Sequence, residues 1–197
     1  MFYEIRAYLF HINFANNCLD AYMSLLKNMQ MNTDILNKAA GFFQISEYAL
    51  SKCMILEYAK LFCGSSDEKT IYKLLNNVKA NANLFPKGKA MKIYNHFEPY
   101  LHNDLKDIID CLTTRRDKDL AHNDPKYFYD TNNPAEDNYI SPEEFGKLYG
   151  FCFELCESLL ELLDGDGKVI LCNGANDFDD FVEEYCQLKT EYTRRNC

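Results

Sequence analysis

Residues 141–163, SPEEFGKLYGFCFELCESLLELL, decide the fold class of this chain. Ser141 can cap a helix, Pro142 suits its first position, and Glu144 can complete a capping box. Apolar residues then recur at intervals of three and four, the spacing of one helix face: Phe145, Leu148, Tyr149, Cys152, Cys156, Leu159 and Leu163. The segment predicts a long amphipathic helix that ends at the turn of residues 164–167 (DGDG).

The same periodicity continues through most of the chain. Residues 3–29 and 33–62 predict two long helices, and the second is so widely apolar that we expect it to be central in the fold. A capping box at residues 65–68 (SSDE) predicts the start of a further helix, and another is expected from near Tyr94. Residues 177–192 predict a last amphipathic helix.

These segments together predict an all-α protein, an antiparallel helical bundle of about five to six helices with short connections. We expect residues 1–197 to form a single domain, in which residues 131–140 are a polar loop and residues 165–197 an acidic C-terminal segment. Residues 169–172 alone could form a short extended strand. A chain of 197 residues can bury a sufficient core without disulfides or metals.

Composition and cysteine usage indicate a cytoplasmic protein. No apolar run reaches the length of a membrane span, and Glu4 and Arg6 interrupt the stretch where a signal peptide would be apolar. The 9 cysteines are odd in number and form no Cys-x-x-Cys pair, which is typical of free thiols in a reducing compartment. Cys152 and Cys156 lie one helical turn apart, and a buried apolar role is favoured over a role as metal ligands. We therefore expect no metal and no cofactor.

The charge distribution limits the ligands that the chain can bind. The net charge is −9, but residues 1–130 contain 16 Lys and Arg against 15 Asp and Glu, whereas residues 141–197 contain 5 against 13. A strong non-specific DNA binder is disfavoured. A local basic binding site in the central third of the chain is compatible with this distribution.

Residues 112–124, LTTRRDKDLAHND, form the segment with the most distinctive chemistry. The apolar stripe Leu101, Leu105, Ile108 and Leu112 continues at the same spacing into Arg115 and Arg116. An arginine on a core-facing stripe must be paired, line a pocket or lie in an interface. From the residues alone, an ion pair of Arg116 with Asp119 or Asp124 at a helix C-terminus explains the pattern about as well as a functional site does.

This segment resembles the motif of the HEPN superfamily, in which an arginine is followed four to six residues later by a histidine near the end of a long helix. Here Arg116 is followed by the polar Asp117 and, six residues on, by His122. The string RDKDLAHND of residues 116–124 is similar to the branch named after the abortive-infection protein AbiU. The resemblance extends over about residues 20–190 and implies a helical bundle that often dimerises through the motif helices.

The resemblance also implies a set of activities. Active members of the superfamily are metal-independent endoribonucleases, and other members bind RNA or a protein partner without catalysis. Many belong to phage-defence or toxin–antitoxin systems, and some lie beside nucleotidyltransferases. RNA is therefore the expected ligand, and an antitoxin or a nucleotidyltransferase is the expected partner protein.

The motif residues suit RNA cleavage without a metal. We expect Arg116 to stabilise the phosphate charge, His122 to transfer a proton, and Asp117 to orient either of them. A histidine, whose ordinary pKa is about 6.5, exchanges protons near neutral pH. Contacts with the RNA backbone are expected from Arg115, Lys118 and Lys126. His11, His96 and His102 each lie alone in helical stretches, where a surface or hydrogen-bonded structural role is expected.

The sequence thus predicts a metal-independent endoribonuclease of phage-defence or toxin type. The reaction needs both an acid and a base, and His122 of one chain can supply only one of them. We therefore expect two motif helices to pair across a two-fold axis, which brings two His122 side chains together. The alternative is a non-catalytic HEPN module that binds RNA or a protein partner, and the C-terminal acids favour it. A third class, an enzyme of metabolism, has no supporting pocket motif.

Overall fold

A computed structural model of the protein describes residues 2–64, 69–86, 88–121, 134–163, 179–184 and 186–187. Its α-helices are α1 Phe2–Met31, α2 Thr33–Leu36, α3 Ala40–Phe62, α4 Ile71–Ala80, α5 Lys89–Asn103, α6 Lys106–Arg115, α7 Pro134–Asp137 and α8 Pro142–Leu162. There are 3₁₀ turns at Asn37–Ala39 and Ala82–Leu84, a π-helical segment at Arg116–Ala121, and helical backbone at residues 179–184 and 186–187. The described part contains no strand, and the predicted all-α class is confirmed. The strand considered for residues 169–172 lies outside the described residues.

The chain groups into two compact units. The first contains the described residues within 1–16 and 54–170, and the second those within 17–53 and 171–197. Helices α1 and α3 contribute residues to both units. Within the described residues, no helix is long and apolar enough to cross a membrane.

Aromatic side chains join three helices in the first unit. The ring of Phe151 in α8 lies 6.4 Å from that of Phe62 in α3 and 5.4 Å from that of Phe97 in α5. Tyr58 of α3 approaches Phe145 of α8 at 4.9 Å. All five side chains are buried, and pairs at these distances and tilts stabilise a core beyond their buried area alone.

The start of α8 is the predicted capping box. The Ser141 hydroxyl accepts the Glu144 N–H at 3.2 Å, and the Ser141 N–H donates to Glu144 Oε2 at 2.7 Å. The bonds that the Ser141 N–H and hydroxyl donate to the Glu144 carboxylate lower the pKa of Glu144. The predicted stripe is buried at Phe145, Leu148, Cys152, Cys156 and Leu159, whereas Tyr149 and Leu163 are half-buried. The turn predicted at residues 164–167 lies outside the described residues.

The two cysteines of α8 are core residues. Cys152 and Cys156 are both 0% exposed, and burial raises the pKa of the Cys152 thiol well above its ordinary value. The predicted burial is confirmed. A thiol that stays protonated behaves as a small apolar side chain.

The prediction that residues 33–62 form one central helix was wrong. The backbone passes through α2 and a 3₁₀ turn before α3, and the first half of α3 leaves Ile45 71% and Tyr48 66% exposed. Burial begins at Met54 and continues through Ile55 and Tyr58. Apolar residues on every face make a helix suitable for burial, but the number of neighbouring helices determines how much of it is covered.

The start of α4 differs from the predicted capping box at residues 65–68, which lie outside the described residues. The helix begins at Ile71, and the Thr70 side chain caps it by accepting the Lys73 N–H. The Thr70 carbonyl in turn accepts the Tyr8 hydroxyl of α1 at 3.1 Å. This contact between distant residues anchors the helix start at Thr70, and a local pattern does not encode it.

The helix expected from near Tyr94 is two helices. α5 begins earlier, at Lys89, after Gly88, whose φ of 78° is the left-handed region that favours glycine. It ends at Asn103, and the N–H groups of Asp104 and Leu105 both bond to the Tyr100 carbonyl before α6 begins. The predicted stripe Leu101, Leu105, Ile108 and Leu112 is buried across this break.

In the second unit, one carboxylate joins the C-terminal helical residues to α1. Asp179 accepts hydrogen bonds from Ser24 at 2.5 Å and Asn28 at 2.7 Å, and Lys27 Nζ lies 3.5 Å away. The bond from Ser24 is the main reason that the pKa of Asp179 is lowered. Helical backbone within the predicted range 177–192 is confirmed at residues 179–184 and 186–187. Two apolar residues of this segment differ in burial: Val182 is buried, and Phe181 is 60% exposed.

Candidate functional site

The motif begins where α6 changes its geometry. α6 ends at Arg115, and the next six residues, Arg116–Ala121, form the π-helical segment. A π-helix is wider than an α-helix because its hydrogen bonds span five residues, and such turns are frequent at functional sites. Of the motif and its neighbours, the structure describes Arg116, Asp117 and Lys118, whereas His122 and Lys126 lie outside the described residues.

Arg116 is held by the residue that follows it. Its Nε donates to Asp117 Oδ1 at 2.7 Å, and the two side chains are 28% and 42% exposed. Asp117 is thus a partner of Arg116 among the described side chains, whereas the side chains of Asp119 and Asp124, which the sequence suggested as partners, lie outside them. A charge-assisted bond to Nε restricts the orientation of the planar guanidinium.

The neighbouring cations differ in accessibility. Arg115 is 7% exposed because it continues the buried face of α6, while Lys118 is exposed. A contact with a phosphate backbone requires an accessible charged group. Arg115 is therefore buried and Lys118 accessible, and the contact of either residue with RNA stays a prediction.

Arg116 lines a cleft of about 750 Å³ in the first unit, which we call the α1–α3 cleft. Its walls come from the first turns of α1, the end of α3 and the motif. The lining residues are Tyr3, Glu4, Ala7, Tyr8, His11, Leu56, Ala59, Lys60, Leu61, Cys63, Lys69 and Arg116. Apolar side chains thus share this cleft with three cations and a histidine. Glu4 is the single carboxylate among the described lining residues.

Carboxylates position the basic groups of the cleft. Lys69 Nζ donates to Glu4 Oε1 at 2.7 Å. The Glu57 side chain, 10% exposed, contacts Lys60 through Oε1 and His11 Nδ1 through Oε2, the latter at 3.1 Å. A carboxylate so deeply buried requires such partners to offset the loss of hydration. Glu57 therefore holds both basic groups at the wall of the cleft.

Two further titratable groups line the α1–α3 cleft. Burial raises the pKa of the Tyr8 hydroxyl and that of the Cys63 thiol. Both groups keep their protons near neutral pH, so neither suits the role of a base or a nucleophile. Among the described residues, no group of three or more His, Cys, Asp or Glu side chains could hold a metal ion.

The comparison with known families gives the family of the chain. The model of the HEPN family AbiU2 matches residues 3–187. The chain belongs to the HEPN AbiU2 family. The match is longer than the predicted resemblance over residues 20–190, and it includes the first turns of α1 that line the cleft. No curated protein and no solved structure matches the chain significantly. This HEPN protein is accordingly an abortive-infection-related helical module.

Sequence reasoning missed most of the residues that share the cleft with the HEPN motif. Tyr3, His11, Lys60 and Lys69 lie more than 40 residues before Arg116, and no local pattern connects them to it. His11 was expected to have a structural or surface role. The sequence does contain a signal that could have marked His11 as a candidate. Glu57 lies among the apolar residues Met54, Ile55 and Tyr58, and a glutamate inside an apolar helix can pair with a histidine.

Proposed function

We propose that this HEPN AbiU2 protein is a metal-independent endoribonuclease of phage-defence or toxin type. The observation that carries the proposal is the position of the motif arginine: Arg116 lines a cleft beside Lys60 and Lys69. Accessible cations around one cleft favour a phosphodiester ligand. The volume of about 750 Å³ is in the usual range for a site that holds a small molecule or a segment of a polymer.

Arg116 and His122 have complementary roles in the proposed reaction. The RNA 2′-oxygen attacks the adjacent phosphorus, and the 5′-oxygen of the next nucleotide leaves, which gives a 2′,3′-cyclic phosphate and a 5′-hydroxyl end. Arg116 stabilises the negative charge that develops on the phosphate oxygens. His122 transfers a proton. Asp117 orients Arg116, which the bond between them at 2.7 Å supports.

The contacts with the RNA backbone follow from accessibility. Lys118 is exposed beside the motif, and Lys60 and Lys69 line the cleft with side chains that are 57% and 77% exposed. Each cation that replaces counterions on a phosphate adds affinity that decreases with salt. Lys126 stays in this set as a prediction from the sequence.

A second candidate function is a non-catalytic module that binds RNA or a partner such as an antitoxin or a nucleotidyltransferase. The Arg116–Asp117 ion pair favours it, because an adjacent carboxylate offsets part of the guanidinium charge. The acids of residues 141–197 repel RNA, which within this alternative favours a protein partner over RNA.

Cleavage of single-stranded RNA in excess chelator tests the main proposal. The wild-type protein is expected to leave 2′,3′-cyclic phosphate ends, and Arg116→Ala and His122→Ala are each expected to lower the rate by about 100-fold or more. His96→Ala and Lys147→Ala are the controls, because they remove an exposed histidine and an exposed cation that lie outside the cleft. Both controls should cleave at the wild-type rate.

Other outcomes would change the assignment. A requirement for added Mg²⁺, or full activity of His122→Ala, would contradict the mechanism. RNA binding without cleavage by the wild-type protein would favour the non-catalytic module.

A further inference from the structure

His11 forms a contact that prepares an imidazole for proton transfer. Its Nδ1 lies 3.1 Å from Oε2 of Glu57, a residue 46 positions away on α3. In the tautomer whose Nδ1 carries the proton, the ring donates to the carboxylate and Nε2 keeps a lone pair that can accept a proton. A carboxylate in this position orients the ring and stabilises the imidazolium that forms.

The two side chains of the His11–Glu57 pair differ in their exposure to solvent. The His11 side chain is 41% exposed and lines the α1–α3 cleft, whereas that of Glu57 is 10% exposed. Glu57 is also contacted by Lys60, one turn further along α3. With two partners on a buried carboxylate, the orientation of the His11 ring is fixed from the protein side.

The cleft around His11 has the other features that a nucleotide requires. Arg116, Lys60 and Lys69 are the cations of the wall. Tyr3, which is 85% exposed, lines the same cleft and offers an aromatic face on which a base can stack. Tyr8 and Cys63 keep their protons, as described above, and the Glu4 carboxylate is engaged by Lys69 at 2.7 Å, so His11 is the favoured proton acceptor among the described residues of the wall.

We propose that His11, positioned by Glu57, is a second proton-transfer residue, which acts on RNA in the same cleft as Arg116. This inference rests on the proposed ribonuclease function and adds a residue outside the HEPN motif. It supplies within one chain the second group that the reaction needs, since one histidine cannot be base and acid in the same step.

The step balances without a co-reactant. His11 takes the proton of the 2′-hydroxyl while the 2′-oxygen forms its bond to phosphorus. The bond from phosphorus to the 5′-oxygen breaks, and that oxygen keeps the electron pair and takes the proton of His122. Afterwards His11 returns its proton to water and His122 takes one from water.

The charged groups around His11 shape the pH dependence. Glu57 and Lys60 face it from α3, Glu4 lies on its own helix, and Lys69 and Arg116 line the same cleft. The rate should rise as His11 loses its proton and fall as His122 loses its own, which gives a bell-shaped profile. The acidic limb then belongs to His11.

The test uses the full chain, the dinucleotide UpA and the variants His11→Asn and Glu57→Gln, with His96→Ala as the histidine control. Asparagine can still donate to Glu57 but cannot take a proton, so His11→Asn keeps the contact and removes the chemistry. We expect kcat to fall by about 100-fold with little change in KM, and the acidic limb of the pH profile to disappear. For Glu57→Gln we expect a loss of about 10-fold or more.

A second measurement separates a chemical role from a structural one. Added imidazole should restore part of the cleavage by His11→Ala and none by the control Arg116→Ala, since only the first lacks a base. Wild-type kcat and an intact acidic limb in His11→Asn, while Arg116→Ala is inactive, would overturn the inference and leave the proposed function standing. A wild-type protein that does not cleave UpA or longer RNA would overturn both.

Discussion

At the scale of single residues, one position separates a buried guanidinium from one that lines a cleft. Arg115 is 7% exposed, while the side chain of Arg116 is 28% exposed and bonds to Asp117. Successive residues of an α-helix point about 100° apart, so two neighbouring side chains can differ widely in burial. A lysine at position 116 could not reproduce a bond from Nε together with the planar fork of the guanidinium. Arg116→Lys is therefore not a conservative change.

The capping box gives a prediction at this scale. Ser141→Ala should lower the free energy of unfolding by about 1 kcal/mol at pH 7, because the Ser141 hydroxyl accepts the Glu144 N–H at the start of α8. Denaturant titration measures the change. Glu154→Ala, an exposed position in the middle of the same helix, is the control and should change stability by less than about 0.5 kcal/mol.

The effect of Ser141→Ala should depend on pH. The Ser141 hydroxyl also donates to Glu144 Oε2 at 2.9 Å, and the pKa of Glu144 is lowered below its ordinary value of 4.5. A lowered pKa in the folded state stabilises the protein above the unfolded value, and this contribution is lost as the pH falls through the folded value. The difference between wild type and Ser141→Ala should therefore narrow below pH 4.5. A difference that stays constant to pH 3 would contradict the role of the carboxylate.

At the scale of whole elements, periodicity and hydrophobicity carry different information. α8 has one apolar face and one polar face, so its sequence states which side is buried. α3 is apolar on every side, and its sequence does not state where burial starts. Its first half leaves Phe42, Ile45 and Tyr48 exposed.

The contact between α1 and the C-terminal helical residues gives a prediction at the element scale. Asp179→Ala should lower the free energy of unfolding by about 1 kcal/mol, because Asp179 accepts bonds from Ser24 and Asn28. Amide exchange at Val182, which is buried in the same segment, should become faster. The neighbouring Asp180→Ala is the matched control, because Asp180 is exposed. Equal exchange in the two variants would show that Asp179 does not hold the segment.

At the scale of the whole molecule, the question is whether one active site contains residues from one chain or from two. The sequence predicts a homodimer whose motif helices pair, since a single His122 cannot supply both proton transfers. In our proposal, the His11–Glu57 pair supplies the second group from the same chain as Arg116. Dimerisation is then no longer required by the chemistry.

Mixing of inactive chains tests this expectation. His122→Ala and Arg116→Ala chains, refolded together, are expected to stay inactive, because Arg116 and His11 of one chain line the same cleft and we propose that His122 acts there from the same chain. Light scattering on the mixture and on the wild type measures the oligomeric state alongside RNA cleavage. Recovery of cleavage in the mixture would place Arg116 and His122 of one site on different chains.

The sequence alone was sufficient to predict the all-α class, the start of α8 and, through residues 116–124, the family. Each of these depends on residues within a few turns of one another, such as Ser141 with Glu144. The family match over residues 3–187 confirms the resemblance on which the motif was assigned.

Only the tertiary structure decided which side chains share the cleft with Arg116 and which half of α3 is buried. His11 and Glu57 lie 46 residues apart on different helices, and their contact depends on how α1 packs against α3. The start of α4 at Thr70 depends in the same way on the Tyr8 hydroxyl, 62 residues away. Local periodicity specifies which residues form a helix and which face is apolar, but the pairing of polar groups between helices depends on the packing of the whole core.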